Sequence, residues 1–144
     1  MIDAPEIANL LGGERMLKRT VTTLEDLRQA VDSGLPVASL RRVVRRVAGG
    51  VDAETELTHR LVPRTTLQRR GQRLSPRESE HLERLARMTV LAEHVWEDGA
   101  HAHEFLTSPQ PQLGDRRPVD LAASDLGTRQ VEELLMRLEY ALPV

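Results

Sequence analysis

Three aromatic residues, Trp96, Phe105 and Tyr140, are all that this 144-residue chain offers to an interior. The core must therefore be filled by Leu, Val and Ala. Such a set suits interlocking helices better than a sandwich or barrel, whose strands lean on aromatic and β-branched residues. No stretch alternates apolar and polar residues over a useful strand length, and no internal repeat is present. The fold class expected is all-α. Cysteine is absent, which excludes disulfides, thiolate metal sites and cysteine nucleophiles. No apolar run approaches the ~20 residues of a membrane span, and the N-terminus lacks a basic-then-apolar leader pattern. A cytoplasmic protein without a membrane partner is expected.

Punctuation along the chain divides it into helices. Residues 1–20 have weak periodicity and a Gly12-Gly13 break, so they read as a poorly ordered or short-helical arm. TTLEDLRQAVDSG opens with Thr22 or Thr23 as N-cap and closes at Gly34, with Leu24, Leu27 and Val31 on one face. Pro36 starts PVASLRRVVRRVAGG, whose Val37, Leu40, Val43, Val44 and Val47 recur at helical spacing opposite Arg41, Arg42, Arg45 and Arg46. Asp52 can cap the next helix, which buries Leu57 and Leu61 and ends at Val62-Pro63, because a residue before proline is pushed out of the α region. A short basic helix, RTTLQRR, runs to Gly71. Ser75, Pro76 and Glu78 then form a capping box for a long helix with Leu82, Leu85, Thr89, Ala92 and Trp96 inward, stopping at Gly99. AHAHEFL, a proline-containing linker, a helical turn from Pro118 and a last helix from Ser124 or Asp125 complete the chain. That last helix carries Val131, Leu134, Leu135, Leu138 and Leu142 on one face. Three segments follow: an arm (1–20), a helix-turn-helix module (21–74) and a C-terminal helical domain (75–144).

The net charge of −2 hides a segregation. Residues 1–34 carry four basic and six acidic groups, residues 35–77 ten and three, and residues 78–144 six and thirteen. A +7 module beside a −7 module creates a field that steers one of them toward a polyanion. The basic groups of the middle segment are all arginine, whose planar fork suits phosphate and guanine. Short helix, tight turn and short basic helix outline a helix-turn-helix, whose second helix enters the major groove with its first residues at the base edges. Those residues are Arg64, Thr65, Thr66, Gln68 and Arg69. Arg60, Arg70 and Arg73 are placed to clamp phosphates, which gives affinity without sequence information, and Leu67 points inward. The bland alternative is a basic helix pair that only caps the core.

Catalytic and metal patterns are missing. His94, His101 and His103 lie near Glu93, Glu97 and Glu104, yet the spacing is not HExxH and Gly99 separates His94 from the others. His59 and His81 have no partner pattern. No P-loop, dinucleotide fingerprint or nucleophile elbow occurs, so neither a cofactor nor an enzymatic activity is expected.

Three blocks, in order and at characteristic spacing, carry a family likeness: VPRTTLQRR, then RLSPRESEHLERLARMTVLAEHVWEDGAHAHEFL, then SPQPQLGDRRPVDLAASDLGTRQVEELLMRLEYAL. The stretch from about Arg64 to Tyr140 resembles the antitoxins of the Xre/MbcA/ParS family. The resemblance implies an Xre-like helix-turn-helix module joined to a C-terminal toxin-binding domain. It also implies a homodimer within a larger complex, with two partners: operator DNA, and a RES-domain toxin encoded by the adjacent gene and associated with NAD degradation. By the same analogy the toxin-contacting residues are Leu113, Gly114, Pro118, Leu121, Arg129, Gln130, Glu133, Arg137 and Tyr140. Leu142, Pro143 and Val144 would lie near the toxin's active-site entrance. Relatives often carry a glycine before the turn proline, where Leu61-Val62-Pro63 stands here, and Gly-Val near the end, where this chain has Ala141-Leu142.

From the residues alone two readings stay beside this one. The chain could be a stand-alone helix-turn-helix regulator whose C-terminal domain only dimerises, or a helical adaptor without a DNA role.

Overall fold

In a computed structural model, residues 2–140 are described. Among them the chain forms α1 (Ala4–Leu10), α2 (Gly13–Leu17), α3 (Leu24–Asp32), α4 (Val37–Val47), α5 (Val51–Leu61), α6 (Arg64–Arg69), α7 (Pro76–Trp96), α8 (Gly99–Thr107), α9 (Pro118–Leu121) and α10 (Asp125–Tyr140). A 3₁₀ turn at Pro111–Leu113 precedes α9. Extended pairing among the described residues is confined to the isolated bridges Pro36–Arg73 and Gln110–Arg116. The molecule is all-α, and no described helix is long and apolar enough to cross a membrane.

Helix α7 is the axis. Ser75 Oγ accepts from the Glu78 N–H while the Glu78 carboxylate accepts from the Ser75 N–H, and Pro76 fills the first turn. Both halves of the box satisfy donors that a helix start would leave open. Leu82, Leu85, Ala86, Met88 and Ala92 are fully buried along its length. Each large side chain so buried contributes about 1.5–3 kcal/mol. Around this axis pack α1, α3, α4, α5, α8 and α10. Trp96 is half-buried and its ring meets Phe105 of α8 at 4.8 Å between centroids.

The first twenty residues are not a loose arm. Ile7, Leu10, Leu11 and Leu17 are buried, and α1 packs on α7 and α3. Ser39 on α4 donates a buried hydrogen bond to the Leu11 carbonyl at 2.5 Å, and Arg42 Nε donates to the Leu10 carbonyl at 3.0 Å. The weak periodicity hid this because two short helices separated by glycines contribute too few turns to show a stripe.

Smaller departures have local causes. Leu24 is 75% exposed because it is the first residue of α3 and overhangs the groove toward α7 instead of entering it. Pro36 is the N-cap of α4, with extended φ/ψ, and α4 begins one residue later. Gly50, not Asp52, caps α5, and Asp52 sits within its first turn, where its charge favours the helix dipole. Glu97, in the left-handed region at φ 53°, ends α7, and Gly99 opens α8 behind an Asp98 cap.

One titration on the axis is testable. Burial, with Arg84 adding to it, pushes the His81 imidazole down to about 4. The unfolded chain takes up this proton near pH 6.5, whereas the folded chain refuses it until about 4. Stability due to His81 is therefore complete above pH 6.5 and is lost as pH falls toward 4, by about 1–3 kcal/mol. Urea melts of the wild type and His81→Gln across pH 7 to 4.5 should converge toward low pH. Parallel curves would contradict the assignment.

Candidate nucleic-acid interface and partner face

The outline of a helix-turn-helix is made by α5, a turn of Val62 and Pro63, and α6. Leu57, Leu61 and Val62 are buried, so the turn is fixed from beneath. Pro63 is the N-cap of α6, and the Leu67 N–H bonds to its carbonyl at 2.9 Å. Val62, the residue before the turn proline, is extended at φ −137° and buried completely. Leu67 is half-buried against the core, as its inward orientation requires.

The side chains offered to a groove differ in freedom. Arg64, Thr65, Gln68 and Arg69 are exposed and Thr66 is half-buried. Among the described residues Arg64 and Arg69 make no ion pair. Arg70 is held by Glu78 through two bonds of 2.9 and 3.0 Å, and this contact keeps the Glu78 carboxyl below its usual range. Arg60 lies 3.2 Å from Asp120 and 3.8 Å from Glu56. Arg117 joins the same cluster by bonding Asp120 at 2.9 Å and Glu56 at 3.0 Å. Burial alone would raise the Asp120 carboxyl, but Arg117 and Arg60 hold it down. Of the three arginines expected at phosphates, two thus tie structural elements together. Arg73 gives one N–H to the Gly34 carbonyl at 2.8 Å. The α5–α9 cluster was not readable from sequence, because the pairs that join the two elements, Arg60–Asp120 and Glu56–Arg117, lie about 60 residues apart.

At the other end, α10 divides cleanly. Val131, Leu134 and Leu135 are buried and Leu138 packs partly on the core. The opposite arc, at helical spacing, presents Leu126, Arg129, Gln130, Glu133, Met136, Arg137 and Tyr140 to solvent. Leu126 is 69%, Met136 50% and Tyr140 73% exposed. The expected partner residues Arg129, Gln130, Glu133, Arg137 and Tyr140 therefore share one face. Leu126 and Met136 were missed, although their spacing from Glu133 and Tyr140 marks the same stripe. Leu113 and Pro118, also expected at the partner, are buried and Leu121 is half-buried, so they are not presented on this exposed face. Gly114 is exposed in the left-handed region at φ 66°. Leu142, Pro143 and Val144 lie outside the described residues.

Helix α7 holds the stripe in place. Arg84 donates to the Ala122 carbonyl at 2.8 Å and the Ala123 carbonyl at 3.2 Å, pinning the α9–α10 turn. Arg87 stands 3.4 Å from Glu132 and 3.7 Å from Glu83, whose carboxyl burial pushes up. Histidines take structural roles: His94 meets Glu6 at 2.5 Å, His101 meets Asp98 at 2.5 Å, His103 bonds the Val47 carbonyl and His59 reaches the Val62 carbonyl at 3.2 Å. Among the described residues no three His, Cys, Asp or Glu side chains gather as a metal site would require.

Comparison with known proteins accounts for both surfaces. Residues 26–87 match the antitoxin Xre-like helix-turn-helix domain, and residues 91–141 match the antitoxin Xre/MbcA/ParS C-terminal toxin-binding domain. The chain belongs to the Xre/MbcA/ParS antitoxin family. Antitoxin Xre of Pseudomonas putida is 32% identical over 81 residues, which are 54% of this chain and 51% of that protein. The chain thus spans about half the length of this relative. Within the family frame, α3–α6 and the first half of α7 fall in the helix-turn-helix match, while α10 falls in the toxin-binding match.

One glycine is decisive for the placement of α10 against α9. A Cβ on Gly127 would stand 2.3 Å from the Leu121 carbonyl oxygen and 2.9 Å from Ser124 Oγ. The first turn of α10 can approach α9 only because that atom is missing. Gly127→Ala should cost about 1–3 kcal/mol despite the better helix propensity of alanine. A urea melt with unchanged or increased stability would contradict this packing.

Proposed function

We propose that this chain is a cytoplasmic type II antitoxin. Its C-terminal domain binds a RES-domain toxin encoded by the adjacent gene and covers the active site where that toxin degrades NAD. Its helix-turn-helix domain holds operator DNA, so that the complex represses its own operon. The chain acts as a homodimer within that larger complex, and its mode of action is occlusion, not catalysis.

The observation that carries the partner half is the solvent stripe of α10. Most large apolar side chains of the chain are buried, yet Leu126, Met136 and Tyr140 stand on one exposed face within the match to a toxin-binding domain. Apolar anchors interleaved with Arg129, Glu133 and Arg137 are the composition of a partner ridge. The acidic balance of residues 78–144 suits a toxin whose cleft takes an anionic dinucleotide. In this reading Leu142, Pro143 and Val144 carry the chain toward the toxin's active-site entrance. The DNA half rests on α6, where Arg64 and Arg69 are exposed and Arg64, Thr65, Thr66 and Gln68 lie in the turns that face bases in helix-turn-helix proteins. The same α10 stripe would also serve a second copy of this chain, which is the reading as a stand-alone regulator.

Two sets of variants separate the surfaces. Met136→Asp with Tyr140→Asp should weaken rescue of growth from the induced neighbouring toxin and leave affinity for upstream DNA within about twofold, since hot-spot residues cost more than about 1 kcal/mol each. Full rescue by this variant would remove the α10 assignment. Arg64→Ala and Arg69→Ala should each lower upstream-DNA affinity about 5- to 100-fold, a loss of about 1–3 kcal/mol, and still rescue growth. Unchanged affinity in both would remove α6 as the reading helix.

A further inference from the structure

A second basic surface lies away from the exposed face of α6. The outer face of α4 carries Arg41, Arg42, Arg45 and Arg46, and together with Leu10 of α1 and Met16 of α2 it encloses an open groove of about 570 Å³. No carboxylate lines this groove. Beside it, a smaller cavity of about 200 Å³ at the start of α4 is lined by Lys18, Arg19 and Arg73, again without a carboxylate. The two are adjacent along two elements: Met16 lines one and Leu17 the other, and Ala38 lines one and Pro36 the other. Acidic groups stand at the margins: Glu93 binds Arg46 at 2.7 and 2.9 Å, Glu6 lines a neighbouring cavity with Arg42 and Arg46 and meets His94, and Glu14 faces the far side of Arg19.

Apart from Arg46, these cations are not tied into ion pairs among the described residues. Arg42 spends one N–H on the Leu10 carbonyl and Arg73 one on the Gly34 carbonyl, leaving the rest of each fork outward. Arg41 and Arg45 are exposed and make no ion pair among the described residues. The six other than Arg46, namely Lys18, Arg19, Arg41, Arg42, Arg45 and Arg73, line the two cavities that hold no carboxylate, and like charges so grouped repel one another and attract a polyanion. An apolar partner is disfavoured: Leu10 is buried and Met16 half-buried, and none of the exposed large apolar side chains lies here. The band begins at Arg73, four residues beyond the end of α6, and the Pro36–Arg73 bridge ties that point to α4. This bridge sets the start of the band beside the segment that leaves α6.

We infer that Arg41, Arg45 and the cations aligned with them form a sequence-independent phosphate track for DNA flanking the site held by α6. The inference rests on the DNA-binding reading proposed above. One wall of the track comes from α1 and α2, which precede both matched domain regions, so the N-terminal helices extend the DNA footprint beyond the helix-turn-helix itself.

The test is the salt dependence of binding by the full chain, read by fluorescence anisotropy on two duplexes. One is the segment immediately upstream of its own start codon and the other is a shuffled duplex of equal length. Arg41→Gln with Arg45→Gln should lower affinity by a similar factor on both, about tenfold or more. The slope of log affinity against log salt should become shallower by about 1.8, since each lost phosphate contact removes about 0.9. The lysine pair Arg41→Lys with Arg45→Lys should recover most of the slope. Slope and affinity unchanged in the glutamine variant, while the wild type binds and Arg64→Ala does not, would overturn the track and spare the DNA-binding reading. A glutamine variant that binds DNA normally but loses its toxin complex would likewise overturn it, in favour of a protein contact. A wild type that binds neither duplex would defeat both.

Discussion

Everything in this molecule depends on the burial of α7. Its 21 residues are touched from nearly every side, by α1, α3, α4 and α5 from the preceding sequence and by α8 and α10 from the following one. No other helix reaches both ends of the chain. Without Leu82, Leu85, Met88 and Ala92 as a common core, the short helices would have nothing to pack on, and helices of 4–11 residues are not stable alone in water. The capping box at Ser75 matters for the same reason, since it decides where the axis begins.

That dependence has a functional consequence. The helix-turn-helix match ends at residue 87 and the toxin-binding match starts at residue 91, both inside α7. The two surfaces are thus carried by one rigid rod, not by beads on a linker. Arg70–Glu78 fixes the exit of α6 to the start of the rod, and Arg84 and Arg87 fix the α9–α10 region to its middle. The Arg60–Asp120 and Arg117–Glu56 pairs close the loop by joining α5 to α9 directly. A shift at one surface would have to be accommodated by these pairs.

How much of this was readable in advance follows from distance along the chain. Caps and periodic faces are local, so Thr23, the Ser75–Glu78 box and the Val131–Leu135 stripe could be seen in the letters. The exposed stripe of α10 was half seen: Arg129, Gln130, Glu133, Arg137 and Tyr140 were singled out, while Leu126 and Met136 were assigned to neither face. Arg60 read as a free phosphate clamp because its partner Asp120 lies dozens of positions away and leaves no local pattern, and Arg70 did so because Glu78, eight residues on, was read only as half of a capping box. The N-terminal segment was read as a poorly ordered or short-helical arm, and the packing of its short helices was missed for a different reason. Their apolar residues bury against α4 and α7 through two short segments, each too brief to display a period.

The most direct test of the account is co-expression of this chain with its neighbouring gene product, followed by size-exclusion chromatography with light scattering. The account predicts one stable complex containing both chains, with at least two copies of this one. A homodimer that elutes alone while its neighbour runs separately would contradict it and leave a regulator whose C-terminal face only joins copies of itself.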